Sequence, residues 1–350
     1  SCFLVTPRPL EYLHSVRIRT FASAGLGSGT MAGSRRVVCA LWCVALFCLV
    51  PALANIVAWG HTQTGIAGSE SKIPQSLTTI ASSTAPNVLK VSMSEKEEYS
   101  YDENYDPFGF RTISIAASAD EAGRVTLWCW GVSVGGGCPG YVDFNISTPV
   151  NVTAEFPSGY SFLDLKSHHQ ASFWLLKEES TGIRKLFSSG YSVIDGTDDG
   201  YDGVVRQVFP VDGADLDVEH FEIYLKGGFL YAGGVMYSWG QQLGDGHNTM
   251  GETFDRPVAA TELNALGISR IWGGESASSV FGEAYGPGVD DVRLYAWGNN
   301  GYGQLGLGHT WWTFTPQEVH LDLQEGERIL DLHVSDFTVI LTTAGDVFVA

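Results

Sequence analysis

Three stretches of the chain combine residue types and spacings that could do chemistry. Gly301 to Gly306 reads GYGQLG, the Gly-x-Gly-x-x-Gly spacing of a turn that cradles dinucleotide phosphates. Asp195 to Gly203 reads DGTDDGYDG, in which Asp195, Thr197 and Asp199 alternate like the oxygen ligands of a calcium turn. His168 and His169 are adjacent in KSHHQ and could begin a metal site. Each chemistry has further requirements. A phosphate cradle needs a helix opening on the last glycine, yet LGHTWWTFTPQEV follows, rich in β-branched and aromatic residues and running into Pro316. A calcium-binding helix–loop–helix would want Glu where Arg206 stands, so a variant turn is the competing reading of that loop. The histidine pair lacks identifiable further ligands and reads as a polar strand edge. There is no nucleophile elbow, and no serine, histidine and acid order stands out. The expectation is a noncatalytic protein without a cofactor.

Binding chemistry is better represented. Trp311 and Trp312 are adjacent in a glycine-rich stretch, where two indoles could anchor a protein partner or pack against a neighbouring loop. Asn145-Ile-Ser147 and Asn151-Val-Thr153 are N-glycosylation acceptors if the chain enters the secretory route, and both are expected in a loop after Gly140. Cys129 and Cys138 stand apart from the four other cysteines, all of which precede residue 55. One disulfide in an oxidising lumen and two buried thiols are both open readings.

The elements that must carry these residues are short. The 42 glycines punctuate brief β-rich runs, which predicts many strands and tight turns. Trp-Gly pairs recur at Trp59-Gly60, Trp130-Gly131, Trp239-Gly240 and Trp297-Gly298, with Ser189-Gly190 in the gap. Each ends an apolar run and is followed by a glycine-rich stretch and then by Pro74, Pro149, Pro210, Pro257 or Pro316. A recurring unit changes the meaning of every motif inside it.

YAWGNNGYGQLGLGH, from Tyr295, resembles the regulator of chromosome condensation repeat almost residue for residue. The other units are weaker: AWGHTQTGIAG, WCWGVSVGGGCPG and a shortened WGQQLGDG. The resemblance spans about residues 55–350 and implies an all-β fold, a β-propeller of four-stranded blades. Five units are recognisable and a sixth is cut off at TTAGDVFVA, where the family has seven, so a truncated product is expected. On this reading the indoles fill the wedges between sheets, while Gly301, Gly303, Gly306 and Gly308 serve the backbone. The family's best-known role, guanine-nucleotide exchange on a small GTPase, is the implied alternative function.

Composition bears on compartment and partner. Met31 opens a basic stretch, MAGSRR, followed by the apolar run Val37 to Val50 and an Ala52-Leu53-Ala54 site, the layout of a cleaved secretory signal. Fourteen apolar residues fall short of the roughly 20 that span a bilayer, so a retained membrane anchor is the alternative. Residues 1–30 read as upstream read-through, or as an organelle transit peptide. Setting aside residues 1–54 leaves 15 basic and 38 acidic residues, a formal charge of −23. Such a surface opposes nucleic acid and anionic lipid and favours a basic protein partner, in a secreted or lumenal molecule.

Overall fold

The computed structural model describes residues 17–20, 57–60, 71–76, 87–94, 113–133, 136–142, 144–168, 171–190, 196–197, 202–224, 227–241, 253–274, 279–285 and 292–350. Strands β1 (Arg17–Thr20), β2 (Val57–Gly60) and β3 (Ser71–Ser76) come first. Three antiparallel four-stranded sheets follow. They are β4 (Asn87–Met93), β5 (Ile113–Ala119), β6 (Val125–Ser133) and β7 (Phe144–Asn151), then β8 (Tyr160–His168), β9 (Ala171–Glu178), β10 (Arg184–Gly190) and β11 (Arg206–Gln207), then β12 (Val218–Tyr224), β13 (Gly227–Ala232), β14 (Val235–Gln241) and β15 (Thr253–Ala259). A short helix, α1 (Thr261–Ala265), leads to a fourth such sheet of β16 (Ile268–Gly273), β17 (Ser279–Tyr285), β18 (Val292–Gly298) and β19 (Thr313–Val319). The last sheet holds β20 (Ile329–Val334), β21 (Thr338–Thr342) and β22 (Asp346–Val349), with β1 parallel to β22. β2 and β3 form a separate antiparallel pair.

Each four-stranded antiparallel sheet is a meander with strands in sequence order, and the first strands of successive sheets touch one another. The molecule is therefore an all-β propeller in which β4, β8, β12, β16 and β20 line the axis. Its core lies between sheets rather than within them. One apolar cluster joins Ile115 and Trp130 to Leu165 and Trp174, and a second joins Phe173 to Phe221 and Trp239. A third joins Tyr224 and Phe229 to Ile271 and Trp297, and a fourth joins Phe281 to Leu332 and Ile340. Each pair of facing sheets buries its alternate side chains in one shared layer, which is how a twisted meander hides its apolar face.

The repeating unit explains its residues. Trp130, Trp239 and Trp297 have no exposed surface. Gly131, Gly190, Gly240 and Gly298 follow at φ 114°, 147°, 107° and 101°, a region that disfavours a side chain. Four prolines take up equivalent places. Pro74, Pro149, Pro257 and Pro316 each lie where the outer strand bulges opposite the Trp-Gly step, one residue before the ladder resumes. A bulge on an edge strand needs no donor from that residue, so proline costs no ladder bond there. In the unit lacking an indole, buried Ser189 donates to the Gly136 carbonyl of the preceding blade at 2.7 Å.

Candidate partner-recognition surface

The loop between β18 and β19 is built by two buried amides. Asn300 accepts the Leu305 N–H at 3.0 Å through Oδ1 and donates to the His309 carbonyl at 2.8 Å. Gln304 accepts the Tyr302 N–H at 3.0 Å and donates to Ser279 Oγ at 3.3 Å. Both amides have no exposed surface. Gly303, Gly306 and Gly308 have φ of 80°, 67° and 81°, while Gly301 instead donates its N–H to Asn299 Oδ1 at 3.0 Å. Gly303 and Gly306 donate to the carbonyls of Asn300 and Gly303, both at 3.0 Å. The N–H groups of Gly301, Tyr302, Gly303, Leu305 and Gly306 are thus committed within the loop, and the chain proceeds to a strand. The Gly-x-Gly-x-x-Gly spacing makes a blade turn here, not a phosphate cradle.

This tightly bonded frame presents aromatic rings to solvent. Tyr302 and Trp311 are each 69% exposed, Trp312 is 47% exposed and Phe314 is 40% exposed. The Trp311 indole lies flat on the His309 ring, centroids 4.4 Å apart and 10° between planes. Asn300 Nδ2, bonded to the His309 carbonyl, also lies 3.2 Å from His309 Nδ1, so the ring beneath the indole is held in place. The loop is also tied to the next blade, because Thr338 Oγ1 donates to the Gln304 carbonyl at 2.6 Å. That bond sets the turn carrying exposed Asp336 and Phe337 against the aromatic loop. The Asp336–Phe337 turn was not singled out from sequence, since it lies more than 20 residues beyond the aromatic pair and carries no repeat signature.

The sequence reading also missed a set of polar residues along the axis. Each inner strand bulges by one residue at an equivalent place, and Lys90, Asp164, His220, Arg270 and Asp331 follow the bulges. Lys90 is ion-paired with Asp164 on the next inner strand. Two residues further on, Lys166 Nζ lies 2.6 Å from both carboxylate oxygens of Glu222. His220 Nε2 is 3.0 Å from the Ile271 carbonyl, and Arg270 donates to the Leu330 carbonyl at 3.2 Å while stacking over Trp272. The blades are joined at the axis by side chains whose identities differ at every joint. Burial pushes the His220 imidazole below its ordinary value, with Glu222 and the Ile271 carbonyl opposing that shift. Burial likewise raises the Glu283 carboxyl, against the pull of Arg270.

The remaining sequence candidates fall in several places. Cys129 and Cys138 are joined in a disulfide with Cα atoms 5.9 Å apart, and both are buried. It pins the turn whose Gly140 N–H donates to the Gly203 carbonyl of the next blade at 2.8 Å. The expected loop around Asn145 and Asn151 is instead the outer strand β7, whose bulge accommodates Pro149. Asn151 is exposed, and its Oδ1 accepts the Thr153 N–H at 2.9 Å. Asp195 and Asp199 lie outside the described residues; between them Gly196, at φ 77°, packs against the Trp239 indole. His168 ends β8, and His169 lies outside the described residues, as do residues 31–54 with the signal-like stretch. Trp59 and Gly60 end β2. Among the described residues no group of three or more His, Cys, Asp or Glu is placed to hold a metal ion, and no helix is long and apolar enough to cross a membrane.

Comparison with known proteins agrees with this architecture. Residues 291–339 match the regulator of chromosome condensation (RCC1) repeat. Yeast RCC1 (Prp20), in its crystal structure bound to Kap60, is 17% identical with a TM-score of 0.60, over 84% of this chain and 64% of that one. Human WBSCR16 is 17% identical with a TM-score of 0.52, over 81% of this chain and 65% of that one. The chain thus spans just under two thirds of either relative's length. No curated protein matches it in sequence. The recurring Trp-Gly step and the shared fold make this chain a β-propeller, with a match to the RCC1 repeat at residues 291–339.

Proposed function

We propose that this propeller is a noncatalytic scaffold that recognises a protein partner through the β18–β19 loop. The observation that carries the reading is the exposure of Tyr302, Trp311 and Trp312 on a loop whose amides and glycines are committed to holding its shape. Exposed aromatics on a rigid frame lose little conformational freedom on binding, which is the usual character of an interface anchor. Yeast RCC1, with the same fold, has been seen bound to a protein, Kap60. We place the molecule in the secretory lumen or outside the cell, on the signal layout after Met31, the Cys129–Cys138 disulfide and the acceptor triplets at Asn145 and Asn151.

Site-specific photo-cross-linking tests recognition, with benzoylphenylalanine at position 302 and at the exposed control Val211. A product formed from position 302 alone supports the reading; products of equal yield from both positions contradict it. Expression from Met31 with a C-terminal tag tests delivery, through endoglycosidase mobility and N-terminal sequencing. Processing at Asn55 with a mobility shift is expected, whereas an unprocessed cytosolic product contradicts export. Nucleotide exchange on a small GTPase remains the rival activity, and accelerated release of bound guanine nucleotide by the purified chain would replace the noncatalytic reading.

A further inference from the structure

We propose that the aromatic loop takes an arginine-bearing basic peptide segment, held by stacking on Trp311 and by the carboxylate of Asp336. This deepens the recognition reading above and rests on it. Charge is the first argument. The whole chain carries 20 basic against 39 acidic residues, and residues 292–350 carry only Arg293 and Arg328 against seven acids. Five of those seven, Glu318, Asp322, Glu325, Asp331 and Asp336, are exposed, while the stretch 299–317 has no charge of its own. Glu318 lies at the far end of β19, Asp322 and Glu325 follow that strand away from the aromatic loop, and Asp331 lies on the inner strand β20. Asp336 on the β20–β21 turn is therefore the exposed acid at the loop's end of the sheet. An uncharged aromatic surface at that end of a chain with net charge −19 draws cations and presents the ring faces that stabilise them.

Geometry supplies the second argument. The Trp311 indole rests on His309 through one face and remains 69% exposed, so its orientation is fixed before any partner arrives. The Thr338–Gln304 bond ties the aromatic loop to the next blade's β20–β21 turn, which carries exposed Asp336 two residues before Thr338. A guanidinium can stack on an indole and donate in its plane to a carboxylate at once, which an ammonium does less well. The protein already uses the first contact internally, where the Arg270 guanidinium sits 4.3 Å from the centre of the Trp272 ring. A proline-rich segment would also meet exposed aromatics, but it would draw nothing from the carboxylates.

The test is fluorescence anisotropy on the full chain with a labelled peptide of four arginines spaced by Gly-Ser. Counterparts carry lysine, the neutral isostere citrulline, or proline at the same places. Arginine is expected to bind most tightly, with citrulline weaker by about tenfold or more. Trp311→Leu and Asp336→Asn should each weaken the arginine peptide by about tenfold, while Trp311→Tyr stays within about threefold. Equal binding of the citrulline peptide, or full binding by Trp311→Leu, overturns the proposal. Preference for the proline peptide overturns it too, yet leaves recognition by this loop standing if position 302 still cross-links. Should Trp311→Leu lower the melting midpoint, Asp336→Asn, at an exposed turn, decides alone.

Discussion

Lys166 on one inner strand holds both oxygens of Glu222 on the next, 2.6 Å from each, over the ring of Phe221. Glu222 is almost wholly buried and Lys166 only partly exposed, so the pair is a joint between blades rather than a surface contact. Removing the lysine leaves a buried carboxylate without its cation. Lys166→Ala is expected to cost about 2 to 4 kcal/mol in urea unfolding, while Lys166→Met with Glu222→Leu costs much less. A double change as damaging as the single one would deny the pair its role.

Gly228 and Trp239 face each other across β13 and β14, and a Cβ on Gly228 would stand 2.3 Å from the indole ring. Gly228→Ala must displace the wedge, and Trp239→Ala must empty it. Truncating a buried indole costs about 3 to 5 kcal/mol, so thermal melts should show both variants strongly destabilised.

The wedge indoles and their glycines were legible because a Trp-Gly pair recurs at one place in four of the five units. The unit count was legible for the same reason, including Ser189-Gly190, where a hydrogen bond to Gly136 replaces the indole. The axial joints were not, because Lys90, Asp164, His220, Arg270 and Asp331 share a position but vary among cation, carboxylate and imidazole. Asn145 and Asn151 read as loop because polar residues and Pro149 surround them. An outer strand with a bulge tolerates that composition, since one of its edges has no ladder to keep.

His220 and Glu283 give opposite pH dependences. The His220 imidazole has its folded value lowered by burial, so the unfolded chain binds the extra proton first. Its contribution is present above about pH 6.5 and is lost as pH falls through the folded value. Lys166, Arg270 and Glu222 face it, and the two cations make the imidazolium less welcome. His220→Gln should flatten the loss of stability between pH 7 and pH 5, measured by urea unfolding.

Glu283 has its folded value raised by burial, and its Oε2 lacks a hydrogen-bond partner, with Arg270 3.9 Å away. Here the folded state binds the extra proton first, so the charge costs stability at neutral pH and the cost vanishes toward pH 4. Glu283→Gln should be more stable than the wild type at pH 7, by about 1 kcal/mol, and should lose that advantage in acid. A less stable variant at pH 7 would show that Arg270 needs the carboxylate.

The Cys129–Cys138 disulfide closes a short loop, nine residues apart in sequence. Loop-closure entropy gives it about 2 to 3 kcal/mol. Reduction, or Cys129→Ser with Cys138→Ser, should lower the melting midpoint and raise amide exchange in the turn around Gly140, whose N–H is bonded to Gly203.

The most direct measurement is fluorine NMR on protein carrying 5-fluorotryptophan in place of its tryptophans, assigned by single substitutions. Trp130, Trp174, Trp239 and Trp297 should show no shift on exchange from H2O to D2O, while Trp311 and Trp312 should show a clear one. Adding the arginine peptide should then move the Trp311 resonance and leave the four buried signals in place. A solvent shift at Trp239 or Trp297, or a ligand response at the wedge indoles instead of Trp311, would contradict the account.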